Sequence, residues 1–475
     1  MAPETAMRPL LLLPEMLLFL GGLITLVGGS FVARTRQWRL RAVAAVSLLA
    51  SIVASAVSLT GTGQTAFDGT FAVDTAIGVA RIVAAIAALL VLAQAGDEIG
   101  GSPRESETYS LLLFATAGTL VVAGADDLLV LLAGFLLASI PVYALIGLAA
   151  TPRGAEAAMK TYLLGALSGI VLMLGVTILY AVAASTRYVD LNARLGAAPT
   201  AAVAAGVVAV LAGLMFEAGA VPAHFWVPDA AQAAGGTVAT FVTTVPKIGA
   251  LVAAYRLVIA LPDTVAWPVL VAALAVASMT LGNLAAYWQH DPRRLLGWST
   301  VSQVGFLLVP VSVAGRSPLA LPSLLFYLTA YTLTNIASFA VTTAVPDRRD
   351  LKSYRGLARS HPWLAAALLV ALLGLVGTPP TGVFIGKLTT AAAAWDGGQG
   401  WLAVVVFVNT VVSLFYYLRW IAPAYRAVAP REGIPPDVSS ATWSTVTAVT
   451  AAGLSLAVGI GGGVVWNALT GPLTP

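Results

Sequence analysis

The sequence predicts an all-α polytopic membrane protein of about fourteen transmembrane helices. Three observations predict it. Residues of the AVILMFWYC class make up 59% of the 475-residue chain and charged residues only 10%, against roughly 25% charge in a typical soluble domain. Many apolar runs reach the roughly 20 residues that a helix needs to cross a bilayer, and a helix satisfies its own backbone polar groups there. The basic residues, finally, gather in alternate loops.

In order, the predicted spans are 8–32, 41–60, 76–95, 109–125, 127–149, 160–184, 199–220, 237–260, 265–288, 295–314, 319–344, 363–390, 401–422 and 444–468. The first run, from near Met7 to about Phe31, is too long for a signal-peptide core and ends in no convincing cleavage site, so it is a retained helix. With both termini outside, the inner loops are 33–40, 96–108, 150–159, 221–236, 289–294, 345–362 and 423–443. These loops and their flanks hold 17 Lys and Arg, while the outer segments hold four, Arg8, Arg187, Arg194 and Arg316. Arg81, Lys247, Arg256 and Lys387 fall within spans. This is the asymmetry of the positive-inside rule. The acidic loop GDEIGGSPRESE (96–107) dissents, but acids weigh little in that rule.

Two runs are interrupted. GTPPTG (377–382) places two prolines and two glycines inside the twelfth span, and EAGAVPAHFWVPDAAQAAGG (217–236) follows the seventh. Proline removes a donor and clashes with the preceding turn, and glycine loosens the backbone. Such breaks survive at membrane depth only where protein or a wet cavity surrounds them, and paired breaks point to inverted repeats around a polar pathway. Pro246 directly precedes Lys247, and Pro141 lies inside the fifth span.

Only four lysines occur, against 21 arginines. Lys247 and Lys387 lie inside spans, Lys160 at the mouth of one, and Lys352 in a polar loop. A cation at membrane depth costs at least about 2.5–3.5 kcal/mol and marks a functional site by default. Lysine, unlike arginine, changes its charge state readily when buried. The competing reading is a lysine that snorkels to the interface. It is hard to sustain from mid-span, and stronger for Lys160, which begins its helix beside Arg153 and Glu156. Glu217 is the acid deep in the second half of its span, able to pair with a lysine or relay a proton, or to sit at the interface near Pro222. His224 follows in the interrupted segment; imidazole suits proton shuttling, although a lone histidine in a turn is more often structural. Asp126 and Asp127 read as interfacial, and Arg81 has no acidic partner at helical spacing. Trp38, Trp267, Trp288, Trp363, Trp401 and Trp420 read as interface anchors.

Several classes are excluded. Without cysteine there are no disulfides, thiolate clusters or c-type haem. Three scattered histidines suggest no metal cage, no glycine-rich phosphate loop follows a strand, and no nucleic-acid footprint is visible. No metal or cofactor is expected in this chain; any electrons travel in other chains.

The same polar spans carry a resemblance. LLPEMLLFLGGLITLVGG (11–29 with its flanks), YSLLLFATAGTLVVAGADDLLVLLAGFLLASIPVYALIGL (109–148), AEAAMKTYLLGALSGIVLMLGVTILY (155–180), the stretch from Phe216 to Lys247 with VPAHFWVPD and TTVPK, and GTPPTGVFIGK (377–387) run nearly end to end. The chain resembles the subunit N family of respiratory NADH–quinone oxidoreductase (complex I), one of its antiporter-like membrane subunits. Sodium/proton antiporter subunits and hydrogenase membrane subunits share several of these motifs.

The resemblance implies a three-helix region at 1–108, five-helix antiporter-like repeats at 109–260 and 261–422, and a C-terminal loop and last helix at 423–475. It implies a bacterial plasma membrane and partners among the other membrane-arm and redox subunits, which hold the flavin, the iron–sulfur clusters and the quinone. It also implies a proton path through Lys160, Lys247 and Lys387, with His224 at a familiar histidine position. Two departures stand out: the fifth-helix glutamate of the family is Leu136 here, and the seventh-helix lysine is Glu217. Either the acid has moved, so that Glu217 partners a neighbouring lysine, or the path is degraded and the chain is a non-pumping structural paralogue. A cation/proton antiporter and a membrane-bound hydrogenase subunit are the alternatives within the superfamily.

Overall fold

The computed structural model describes residues 7–61, 63–427, 441–471 and 473. Most of the predicted inner loop 423–443 lies outside the described residues. The described chain is almost entirely helical. In order it runs α1 (Leu13–Phe31), α2 (Trp38–Ser58), a two-stranded antiparallel hairpin of β1 (Gln64–Ala66) and β2 (Phe71–Val73), α3 (Thr75–Glu98), α4 (Glu105–Gly124), α5 (Leu128–Gly147) and α6 (Pro152–Ala183). Then follow α7 (Tyr188–Arg194), α8 (Thr200–Ala218), α9 (Trp226–Ala233), α10 (Gly236–Val242), α11 (Val245–Ile259), α12 (Trp267–Ala286), α13 (Pro292–Ser312) and α14 (Ala320–Ala344). The last are α15 (Leu357–Ser360), α16 (Pro362–Val376), α17 (Gly382–Asp396), α18 (Gly400–Tyr425), α19 (Thr442–Ile460) and α20 (Gly462–Leu469).

Among the described residues, 13 helical segments are long and apolar enough to cross a membrane. The shorter α16 and α17 together make the broken fourteenth crossing, so the predicted order of spans holds. Several helices start where a side chain replaces the missing backbone acceptor. Asp74 accepts from the Ile77 amide ahead of α3, Asp127 from Leu129 and Val130 ahead of α5, Thr151 from Gly154 ahead of α6, and Asp291 from Arg294 ahead of α13. Asp127, expected to be interfacial, is buried in this cap between the two spans.

The core is the crossing made by α10 and α11 together with α13 and α14, whose residues are nearly all buried. The outer helices α1, α2 and α6 leave most of their apolar side chains exposed, as a bilayer requires. Small residues bring backbones together: Gly134 of α5 meets the Val122 amide of α4, where a Cβ would fall 2.8 Å away, and Gly282 of α12 lies against Ser302 of α13 at 2.5 Å.

Membrane-depth charges find partners between helices. Arg81 of α3 takes Glu15 of α1, with Nε–Oε1 at 2.7 Å and Nη2–Oε2 at 2.8 Å, and donates to the Leu11 carbonyl at 2.9 Å. Arg256 of α11 takes Asp74 at 2.5 Å and donates to the Ala123 carbonyl at 2.9 Å. These pairs tie the N-terminal helices to the core. Removing one member of such a buried pair costs about 3–5 kcal/mol, because the other charge stays buried.

Four sequence expectations need correction. The 221–236 segment is not a plain inner loop, since it carries α9, packed between α6 and α13. The crossing at 236–259 breaks once more at Thr243–Thr244, because Pro246 without its N–H takes the first turn of a new helix. Trp267 and Trp420 are buried, not interface anchors, whereas Trp38, Trp288, Trp363 and Trp401 are exposed as expected. Lys160 does not begin its helix: α6 starts at Pro152, two turns earlier.

Candidate functional site

Three chain breaks interrupt the helices beside the buried lysines. The first follows α8, where Gly219 adopts φ +77° and a cis Val221–Pro222 bond turns the chain into α9. The second separates α10 from α11. The third follows α16, where Gly377 adopts φ +90° and a cis Pro379–Pro380 bond leads into α17. Left-handed backbone is cheap only for glycine, so both helix ends are written into the sequence.

A helix C-terminus leaves carbonyls without intrahelical partners and carries partial negative charge. Each buried lysine answers one of these ends. The Lys247 Nζ, fully buried on α11, donates to the Glu217 carbonyl of α8 at 3.1 Å. The Lys387 Nζ, on α17, donates to the last two carbonyls of α16, Leu375 at 3.1 Å and Val376 at 2.8 Å. Each ammonium also lies over a ring: Lys247 at 4.5 Å from the Trp226 centroid, Lys387 at 4.1 Å from that of Phe306. A cation over a desolvated ring gains about 2 kcal/mol. Trp226 is pinned by its indole N–H, which donates to the Phe216 carbonyl at 3.1 Å. Neither lysine forms an ion pair with a described carboxylate. Carbonyls and a ring lie against each ammonium and offset part of the burial of charge, which costs several kcal/mol per ion.

Glu217 is buried at the same break, but its side chain turns the other way. Its Oε2 accepts from the Ser139 hydroxyl of α5 at 2.6 Å, while its backbone carbonyl serves Lys247. Ser139 lies one turn beyond Leu136 on α5, but it faces the interior whereas Leu136 is 45% exposed. The carboxylate thus reaches across from α8 to the part of α5 where the sequence comparison expected an acid.

Lys160 belongs to a different cluster. Its side chain is half exposed and pairs with Glu156 at 2.7 Å and with Asp229 of α9 at 3.1 Å. Asp229 is also held by Arg294 of α13 at 2.6 Å. One carboxylate therefore joins α6, α9 and α13 near the predicted inner ends of those helices. His224 is buried between the Phe225 ring (4.2 Å between centroids) and the Trp298 ring (5.5 Å). Its ring nitrogens are buried, with the Pro222 backbone beside them.

The structure thus brings Lys247 and Glu217 to one break, leaves His224 in the turn that follows it, and keeps Lys387 at the other. Lys160 stands apart at the surface. Between the breaks lie polar side chains that sequence reasoning passed over. The Tyr331 hydroxyl donates to the Thr243 carbonyl at the second break at 2.8 Å and lies 3.2 Å from the Thr300 hydroxyl. One turn along the same two helices, the Tyr327 hydroxyl donates to Gln303 Oε1 at 2.6 Å, and Gln303 Nε2 donates to the Leu375 carbonyl at 2.8 Å. The signal was present as Tyr327/Tyr331 and Ser299/Gln303, four residues apart within apolar helices. Among the described residues no cluster of three or more His, Cys, Asp or Glu could hold a metal ion.

Comparison with known proteins agrees with this architecture. The transmembrane family of NADH:quinone oxidoreductase and Mrp antiporter matches residues 125–413. NADH-quinone oxidoreductase subunit N of Mycobacterium sp. strain JLS is 66% identical over 471 residues, covering 99% of this chain and 100% of that one. Subunit N 1 of Streptomyces griseus is 50% identical over 464 residues, covering 97% and 98%. Among solved structures, a chain of respiratory complex I from Thermus thermophilus with bound aureothin aligns with TM-score 0.82 at 30% identity, over 96% of this chain and 99% of that one. A chain of the Mrp complex from Dietzia sp. aligns with TM-score 0.83 at 22% identity, over 99% and 97%, a likeness of fold alone.

Proposed function

We propose a proton-relay role for this chain, which belongs to the NADH-quinone oxidoreductase subunit N family. As a member it is a multi-pass membrane subunit, with an antiporter-like fold, of a translocase complex. It relays protons through that complex while redox chemistry proceeds in other subunits, which hold the flavin, the iron–sulfur clusters and the quinone. The complex sits in a bacterial plasma membrane, with both termini of this chain on the outer face.

One observation carries the reading. Lys247 and Lys387 are buried at separate helix breaks, each bonded to the open carbonyls of a helix end rather than to a carboxylate. A proton bound this way is easier to surrender than one held by an ion pair, because a neutral acceptor stabilises the cation less than a charged one does. Lys160, with Asp229 and Arg294, stands at the inner rim where protons arrive. His224, buried in the turn after the first break, stands near it as a further proton carrier. Glu217 replaces the missing fifth-helix acid: held by Ser139, its negative charge changes the balance at Lys247 as its own proton comes and goes.

The packing order supports two repeats at 109–260 and 261–422. In the first, α4 packs on α5, α6 on α8, and α11 returns to α4. In the second, α12 packs on α13, α14 on the broken pair α16 and α17, and α18 returns to α12. The fourth helix of the first repeat, α8, ends at a chain break, as α16 does in the second.

Inverted membrane vesicles carrying the assembled complex supply the test. Lys247→Ala and Lys387→Ala should each lower NADH-driven proton translocation far more than NADH oxidation or complex assembly. Glu217→Gln should lower it as well. Normal translocation by Glu217→Gln would remove Glu217 from the relay, and normal translocation by both lysine variants would leave the chain a structural member of its complex.

A further inference from the structure

We infer that Gln303 is a positioning residue that keeps the Leu375 carbonyl paired when the Lys387 proton leaves; the inference rests on the relay reading of Lys387 above. Gln303 is fully buried on α13, and its Nε2 donates to the Leu375 oxygen at 2.8 Å. Lys387 donates to that same oxygen at 3.1 Å. A carbonyl oxygen has two lone pairs, so both donors fit at once. Tyr327 fixes the amide from the far side, donating to Gln303 Oε1 at 2.6 Å. Tyr327 is itself seated by α17: at Gly386, the residue before Lys387, a Cβ would fall 2.9 Å from its ring. Tyr327, Gln303, the Leu375 carbonyl and Lys387 thus form one bonded chain across α14, α13, α16 and α17.

Apart from Lys387, no charged side chain takes part in it. The titratable groups around this site are Tyr327 and Tyr331 from α14 and Tyr416 and Tyr417 from α18. Neither α16 nor α19 carries a titratable side chain. Arg419 of α18 is engaged by the Tyr287 and Gln289 carbonyls, and Arg293 and Arg294 of α13 by Ala234 and Asp229. Asp396, at the far end of α17, accepts from Ser317.

A buried carbonyl left without a donor is costly. The neutral amine keeps two N–H donors but is a weaker donor than the ammonium, so if Lys387 were the sole partner of Leu375, losing the charge would weaken the pairing of that oxygen and the cost would hold the charge in place. Gln303 lowers the cost by staying bound while Lys387 changes state. The amide does not carry the proton; it keeps the helix end intact on either side of the transfer.

The test uses the assembled complex in inverted vesicles, with protons translocated per NADH oxidised read from about pH 6 to about pH 9. Gln303→Met keeps the length of the side chain and removes its donor. Translocation should fall about three- to tenfold near neutral pH, and the deficit should shrink as pH rises, because a more alkaline medium draws off the retained proton. Tyr327→Phe keeps the ring against Gly386 and should displace the profile in the same direction by less. A Gln303→Met profile that is unchanged, or lowered by one factor at every pH, overturns the inference. Should Gln303→Met fail to assemble, Tyr327→Phe decides: an upward displacement supports the inference and a parental profile overturns it. Lys387→Ala separates the two levels. Full translocation there sinks the relay reading itself, whereas its loss beside an unchanged Gln303→Met sinks the Gln303 role alone.

Discussion

Asp126 shows how strongly a single side chain depends on its surroundings here. It lies in the short link between α4 and α5, expected to be interfacial, yet its backbone bonds to Thr70 and Tyr188 and draws the β-hairpin and α7 over it. Burial pushes its carboxyl up to about 6 from 3.8; Arg256 opposes the shift, and Asp74 and Asp127 add to it. A raised value means that the folded protein favours the protonated acid. The contribution of Asp126 to stability is then fully present below about pH 4 and is lost as pH rises through about 6. Asp126→Asn should flatten this part of the stability curve. In detergent, its unfolding temperature should exceed the parental one at about pH 7.5 and converge with it near pH 4. Parallel curves across that range would show that Asp126 is ionised at no cost. The buried lysines have surroundings of another kind, carbonyl and ring against each ammonium.

The helix ends α8 and α16 do the placing. Gly377 holds φ +90°, and a Cβ there would come within 3.0 Å of the Lys387 Cδ. Gly377→Ala should cost about 1–2 kcal/mol from backbone strain alone and displace the lysine, lowering both the unfolding temperature and proton translocation. Gly453 of α19 is a useful control, because a Cβ there meets nothing within 4 Å. Gly453→Ala should be neutral or mildly stabilising, alanine being the better helix former. Equal losses in both variants would mean that position 377 is an ordinary glycine. Much of this was legible beforehand. Lysine in an apolar run and Gly-Pro clusters are local signals, so Lys247, Lys387 and both main breaks could be read from the chain. What was not legible depends on partners from distant helices. Gln303 and Tyr327 gain meaning only when α13 and α14 meet, and Arg81 only when Glu15 arrives from 66 positions away. Lys160 was misplaced for another reason: its helix continues two turns beyond the apolar run, into the zone where polar residues are tolerated. Trp267 and Trp420 misled because a tryptophan near a span end looks the same whether it meets lipid or another helix.

At the scale of the whole molecule, the fold separates a lipid-facing shell from a polar interior that links three chain breaks. The shell sets orientation, and the chain's lack of cysteine makes orientation directly measurable. Asp263 and Asp347 are both exposed, at predicted outer and inner loops. A membrane-impermeant thiol reagent should label Asp263→Cys in intact cells and Asp347→Cys only in inverted vesicles; the reverse pattern would invert the topology. The interior sets function. Its central claim is that protons pass by way of the two helix-end lysines while the chemistry of electrons lies elsewhere. The Lys247→Ala/Lys387→Ala double variant tests it most directly, in an assembled complex that still oxidises NADH. The number of protons moved per NADH should fall below the parental value, with oxidation continuing; an unchanged number would contradict the account.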